Sequence, residues 1–116
     1  MQLTNQIKYI VQHRHKYLEL MKIFNGKARF RDYFHDLDKV ILLLCGLNEK
    51  CVNKIHRKWS GHHPKDGKIK DVVGAVIDWE SARFTKPDKP LNARQTYEKY
   101  YSNYKEVPPV LTRFKL

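Results

Sequence analysis

Between Phe30 and Leu44 the apolar residues Phe30, Tyr33, Phe34, Leu37, Val40, Ile41 and Leu44 recur at three- and four-residue intervals. At roughly 100° per residue they share one broad face, which predicts a helix from Ala28 or Arg29 to Cys45 with that face in the core. Gly46 is placed to close it. The same periodicity predicts a helix over residues 4–24, with Ile7, Val11, Leu18 and Met21 in its stripe and Ile10, Tyr17 and Phe24 widening it, ended by Asn25-Gly26. Asn48 reads as the N-cap of a third helix that runs to Trp59 through Val52 and Ile55. A fourth spans residues 69–84, with Ile69, Val72, Val73, Val76 and Ile77 on one side and Gly74, Ala75, Ser81 and Ala82 on the other, so it should pack on two faces. A fifth, over residues 92–104, aligns Tyr97, Tyr100, Tyr101 and Tyr104 in a stripe expected to dock on the core. Thr85 to Pro90 reads as a rigid polar connection, and residues 106–116, with Pro108-Pro109, as an extended tail. The expectation is an all-α bundle of about five helices, one domain over residues 1–106 followed by a tail over residues 107–116.

Composition narrows the class. A chain of 116 residues with 41% hydrophobic content can bury one core, and no long uncharged apolar run suggests a membrane span. Met1 to Lys8 lacks the features of an export signal, and two cysteines, Cys45 and Cys51, fit a reducing cytoplasm better than a disulfide framework. Cys45 is expected to pack beside Leu44. The 23 basic residues against 12 acidic ones leave a net charge of +11, which calls for an anionic partner: nucleic acid, a nucleotide or a phosphorylated small molecule. The basic residues are dispersed, so charge gives direction without identity. Monomer and homodimer both stay open.

The candidate chemistry begins with His35-Asp36. Asp32, His35, Asp36 and Lys39 emerge together on one flank of the central helix, a pattern that a solvated face also carries. A neighbouring imidazole and carboxylate offer one nitrogen and one oxygen, a set suited to a divalent transition metal, and other segments must complete it. His13 and His15 point about 200° apart on a helix, so they cannot share one ion, and periodicity leaves open which of them contributes. His56, His62 and His63 fall within eight residues of a chain that holds six histidines, the last two in a glycine- and proline-bearing loop where both can turn to one point. A plain polar loop is the alternative. Asp78, set among small residues, needs a cation or several donors, unless it caps a helix or pairs with an arginine. Asp71 is a weaker candidate, near a helix N-terminus.

Taken in order, His15-Lys16-Tyr17-Leu18, His35-Asp36-Leu37-Asp38-Lys39, His56, Gly61-His62-His63 and Asp78 resemble the HD superfamily of metal-dependent phosphohydrolases. The chain is most similar to small, uncharacterised HD-like proteins of bacteria and phages, over roughly residues 15–101. The resemblance implies an HD-like helical bundle in a bacterial or phage-infected cytoplasm. It selects His15 over His13 and implies His15, His35, Asp36 and Asp78 as main ligands, with His56, His62 and His63 for a second ion. The metal would be one or two divalent ions of Mn, Fe, Ni, Zn or Co. Asp36, Lys39 and Asp78 would be catalytic, and Lys39, Lys16 and Arg57 would meet substrate phosphate, on a nucleotide or other phosphate ester. The alternative is a basic nucleic-acid- or partner-binding protein with a structural or vestigial metal site. Two departures stand out: Asp38 where that family has serine, and Gly74 where it often has an acidic residue.

Overall fold

The computed structural model describes residues 3–85 and 91–116; residues 86–90, most of the expected polar connection, lie outside the described part. The elements run α1 (Leu3–Asn25), a 3₁₀ turn (Phe30–Phe34), α2 (Leu37–Leu44), α3 (Glu49–Trp59), α4 (Val72–Thr85), α5 (Ala93–Tyr100) and α6 (Val107–Arg113). No strand occurs among the described residues, and the all-α expectation holds, with six α-helices rather than about five. None of these helices is long and apolar enough to cross a membrane.

The fold is built on α1, about 35 Å of helix at 1.5 Å per residue. Toward its C-terminal end Tyr17, Leu20 and Met21 pack with Ala75, Val76 and Ile77 of α4 and with Val107, Leu111 and Phe114 in and beside α6. Toward its N-terminal end Ile10 joins Leu43 of α2 and Val52 of α3 in a second, smaller cluster. The buried stripe of α1 is Ile10, His13, Tyr17, Leu20 and Met21, rotated from the expected one, so that Val11 is exposed.

The cap at Asn48 is where the sequence places it, and a second cap lies at Asn92. Asn48 accepts from the Cys51 N–H at 2.9 Å, and Asn92 forms a reciprocal box with Gln95. The tyrosine stripe docks: Tyr101 stacks on Trp79 with ring centroids 4.6 Å apart, and Tyr97 and Tyr104 pack on the core, while Tyr100 stays exposed. Buried Glu80 closes this end by accepting from the Ala93 N–H at 2.9 Å.

Three expectations are corrected. The central helix is not continuous: after the 3₁₀ turn, Asp36 takes φ 60° and ψ 7°, in the left-handed region, before α2 begins. The apolar residues before and after this break therefore share no common face. Phe30 (82% exposed), Phe34, Ile41 and Leu44 (67%) face solvent, and only Leu43 of α2 is buried. Cys45 is likewise exposed. The C-terminal segment is no extended tail, because α6 buries Val107, Leu111 and the following Phe114. A proline in the first helical turn gives up an N–H that has no intrahelical partner in any case, so Pro108 suits the start of α6.

Candidate metal centre

The break at Asp36 has a local cause in Asp32. Its buried carboxylate accepts from the Arg29 backbone N–H at 2.7 Å, from Arg29 Nε and Nη2 at 3.0 and 2.9 Å, and from the Tyr17 hydroxyl at 2.8 Å. These bonds tighten residues 29–34 into a 3₁₀ turn and tie it to α1. Arg29 also reaches Asp71 with Nη1 and Nη2, at 2.8 and 3.0 Å. Asp71 itself starts α4, its Oδ1 accepting from the Gly74 N–H at 3.0 Å. It is thus an arginine-paired cap. A Cβ at Gly74 would run into the Asp71 carboxylate, so an acidic side chain there is incompatible with this cap. Arg29 thereby joins the 3₁₀ turn to the start of α4, and the left-handed step at Asp36 turns His35 and Asp36 inward, 6% and 4% exposed. Strain of this kind, held by the surroundings, is characteristic of functional sites.

Five segments converge on that point. α1 brings His13, whose Nε2 lies 2.7 Å from Asp78 Oδ1 on α4. His35 Nε2 is 2.9 Å from the same oxygen and 3.4 Å from His13 Nε2, and its ring stacks on Tyr17 at 3.7 Å. Asp36 Oδ2 lies 3.4 Å from His35 Nε2, 3.8 Å from His13 Nε2 and 3.7 Å from Lys39 Nζ. On the other side, His56 Nε2 of α3 is 3.1 Å from Asp36 Oδ1 and 3.3 Å from His62 Nε2. His62 comes from the loop after α3, held where the Gly61 carbonyl accepts from the Asp71 N–H at 2.9 Å. His63 completes the group, its ring 5.0 Å from that of His56. Two hollows open onto the cluster. One, of about 300 Å³, is lined by Phe34, His35, Asp36, His56 and Trp59 among others, and one of about 180 Å³ by His13, Lys39, Arg57, His63 and Asp78.

The electrostatics match the geometry. Burial opposes ionisation of Asp36, but the His56 contact and the charges of His35 and Lys39 outweigh it and hold its carboxyl well below the usual range. Asp78 is held low in the same way by His13 and His35. Burial depresses His13, yet its bond to Asp78 and the charges of Asp78 and Asp36 raise it overall, and Asp36 and Asp38 raise His56 against the same opposition. Burial pushes His62 down to about 4 and, with His62 beside it, His63 down to about 3, leaving both neutral at neutral pH with one unprotonated ring nitrogen each.

One atom stands apart. Asp36 Oδ1 is buried and receives no hydrogen bond, although it faces His56 and His62. A buried anionic oxygen left this way is costly unless a cation meets it. Ligands around one ion at 2.0–2.2 Å stand roughly 2.9–3.5 Å apart, close to the 2.7–3.8 Å separations of His13, His35, Asp36 and Asp78 contacts here. These mostly buried groups could hold a metal ion: His13, His35, Asp36 and half-buried Asp78 in one set, His56, His62 and half-buried His63 in a second, with Asp36, half-buried Asp38 and His56 between them.

Of the residues expected from the sequence, His35, Asp36, His56, His62, His63 and Asp78 come together, with Lys39 and Arg57 on the rim. His15 does not. It is exposed on α1 and lines a separate surface hollow with Lys16, whose ammonium pairs with Glu19 at 3.2 Å and lies over the Phe84 ring. The contributor from α1 is His13, because it lies on the buried stripe three residues after Ile10 and four before Tyr17. Which face of α1 is buried is fixed by the elements packed against it. Asp38, which meets His56, was also missed as a site residue. Protein-family models, curated proteins and solved structures all give no match to this chain.

Proposed function

We propose that the cluster is a divalent-metal centre and that the protein hydrolyses a phosphate ester there. The observation that carries the reading is the convergence of buried imidazole nitrogens on two ionised carboxylates, one oxygen of which, Asp36 Oδ1, has no hydrogen bond. The nitrogen-rich donor set favours Mn, Fe, Co, Ni or Zn over calcium or magnesium, and its two sets of side chains suit one or two ions. His13, His35, Asp36 and Asp78 would hold the first. Such an ion supplies Lewis acidity toward a phosphoryl oxygen and a lowered pKa for bound water.

The chain's own groups do the rest. Asp36 and Asp78 would orient the attacking water; as the new P–O bond forms, the bond to the ester oxygen breaks and the water's proton ends on that departing oxygen, releasing an alcohol and phosphate. Lys39, beside Asp36, and Arg57 on the same hollow neutralise the charge that develops on the phosphoryl oxygens. The surplus of 11 positive charges draws the anion in. The resemblance to HD phosphohydrolases agrees with this reading, and a nucleotide is the substrate it favours.

Elemental analysis of purified wild-type protein and Asp36→Ala, paired with turnover of a panel of nucleotides and phosphate monoesters, tests it. Near-stoichiometric transition metal and turnover, both lost in the variant, are expected. Wild-type protein that stays metal-free after reloading at neutral pH would overturn the reading.

The net charge favours a second reading, a basic module that binds nucleic acid. It requires affinity that falls steeply with salt and survives chelator, which a gel-shift titration at two salt concentrations measures.

A further inference from the structure

His56 has a carboxylate at each ring nitrogen. Nδ1 lies 2.7 Å from Asp38 Oδ2, a hydrogen-bond contact, while Nε2 lies 3.1 Å from Asp36 Oδ1, an oxygen that receives no hydrogen bond. A neutral imidazole has one ring proton, and the nitrogen without it presents a lone pair. The geometry assigns the proton to Nδ1, where it has an acceptor in line. Nε2 is then left without a proton, aimed at His62 Nε2 at 3.3 Å and lying 3.1 Å from Asp36 Oδ1. An unprotonated nitrogen this near an ionised, unbonded carboxylate oxygen is unfavourable unless a cation lies beside both.

Asp38 is well placed for this task. It sits in the first turn of α2, where a negative charge is favourable, and its half-exposed side chain loses less hydration than buried Asp36 does. Asp36 precedes α2 in its left-handed conformation, so the two carboxylates leave the chain in different directions and reach opposite edges of one ring.

We propose that Asp38 is a positioning residue: by accepting the Nδ1 proton of His56 it fixes the ring's tautomer and orientation, so that Nε2 serves as donor to a divalent cation shared with Asp36 and His62. The donor half of this inference rests on the metal reading of the site; the tautomer half does not. Outer carboxylates of this kind typically change metal affinity by about 10–100-fold when removed.

The test compares wild type, Asp38→Asn and Asp38→Leu, each checked for native circular dichroism. Long-range proton–nitrogen NMR, at a pH alkaline enough for a neutral ring, reads the His56 tautomer without metal, and calorimetric titration with Zn²⁺ or Co²⁺ reads affinity. Wild type and Asp38→Asn, whose side-chain carbonyl can accept the same bond, are expected to hold the proton on Nδ1 and to bind within a few-fold of each other. Asp38→Leu is expected to lose the fixed tautomer and to bind about 10–100-fold more weakly. An Nε2–H tautomer in the wild type overturns the assignment, and so does unchanged affinity in Asp38→Leu. Asp38→Asn that keeps the tautomer but binds as weakly as Asp38→Leu makes Asp38 a ligand itself and overturns the positioning role. Wild-type protein that binds neither ion overturns the metal centre and the donor half with it, while the NMR arm still decides the tautomer.

Discussion

Replacing Arg29 by Met should separate the scaffold of the site from its chemistry. The substitution keeps most of the apolar stem and removes a guanidinium that makes four side-chain hydrogen bonds, two to Asp32 and two to Asp71. Breaking a buried ion pair costs about 3–5 kcal/mol when the stranded charge has no other partner. Asp32 keeps the Tyr17 hydroxyl and the backbone N–H of residue 29, Asp71 keeps the Gly74 N–H, and the guanidinium side is partly solvated already. The expected loss is therefore about 2–3 kcal/mol, a fall in Tm of about 10 °C for a chain of this length. The pH dependence gives a second reading. Burial opposes ionisation of Asp32, but Arg29 and Tyr17 outweigh it and lower its folded-state pKa below the unfolded value of about 3.9. The unfolded chain then binds more protons in that window, so the stabilisation is complete above it and lost as pH falls through the folded value. Urea unfolding followed by circular dichroism, at neutral and acidic pH, should show a less stable variant with a flatter acid limb. A loss below about 0.5 kcal/mol, or an acid limb as steep as the wild type's, refutes the reasoning.

The two histidines of α1 give a sharper contrast: His13→Ala should lower bound transition metal while His15→Ala leaves it unchanged, as measured by elemental analysis after reloading. The reverse result would restore His15 as the ligand. Leu111→Ala should cost about 2–5 kcal/mol in denaturant unfolding, since a fully buried leucine is truncated. An effect below about 0.5 kcal/mol would mean that α6 does not contribute to the core.

What could be read from the sequence was what local chemistry decides. Asn48 caps α3 because its side chain satisfies an N–H group three residues on, and the aliphatic stripe of α4 meets its partners as its spacing predicts. The tyrosine stripe is likewise a docked face. The break at Asp36 was hidden because it depends on a ring of bonds from Tyr17, Arg29 and Asp71, whose spacing along the chain carries no periodic signal. Once that break exists, Phe30 and Ile41 no longer belong to one face, and an apolar pattern that reads as core turns to solvent. Pro108-Pro109 suggested an extended tail, although Val107, Val110, Leu111 and Phe114 have helical spacing and proline is at home in a first turn. For the cluster, residue types were enough to gather His35, Asp36, His56, His62, His63 and Asp78. Choosing between His13 and His15 needed the rotation of α1, which is set by what packs against it.

The two apolar clusters share α1, with α2 and α3 on one side and α4 to α6 on the other. The histidine and aspartate side chains stand at the seam, with His56 and Asp36 from one lobe facing Asp78 from the other. A cation bound there would be held by groups from both sides at once, so its binding free energy would add to the packing that joins them. A ligand present at a hundred times its Kd adds about 2.7 kcal/mol to the form it binds, here the folded one. The same atoms that would carry out chemistry would thus also brace the two ends of the long first helix's packing against each other.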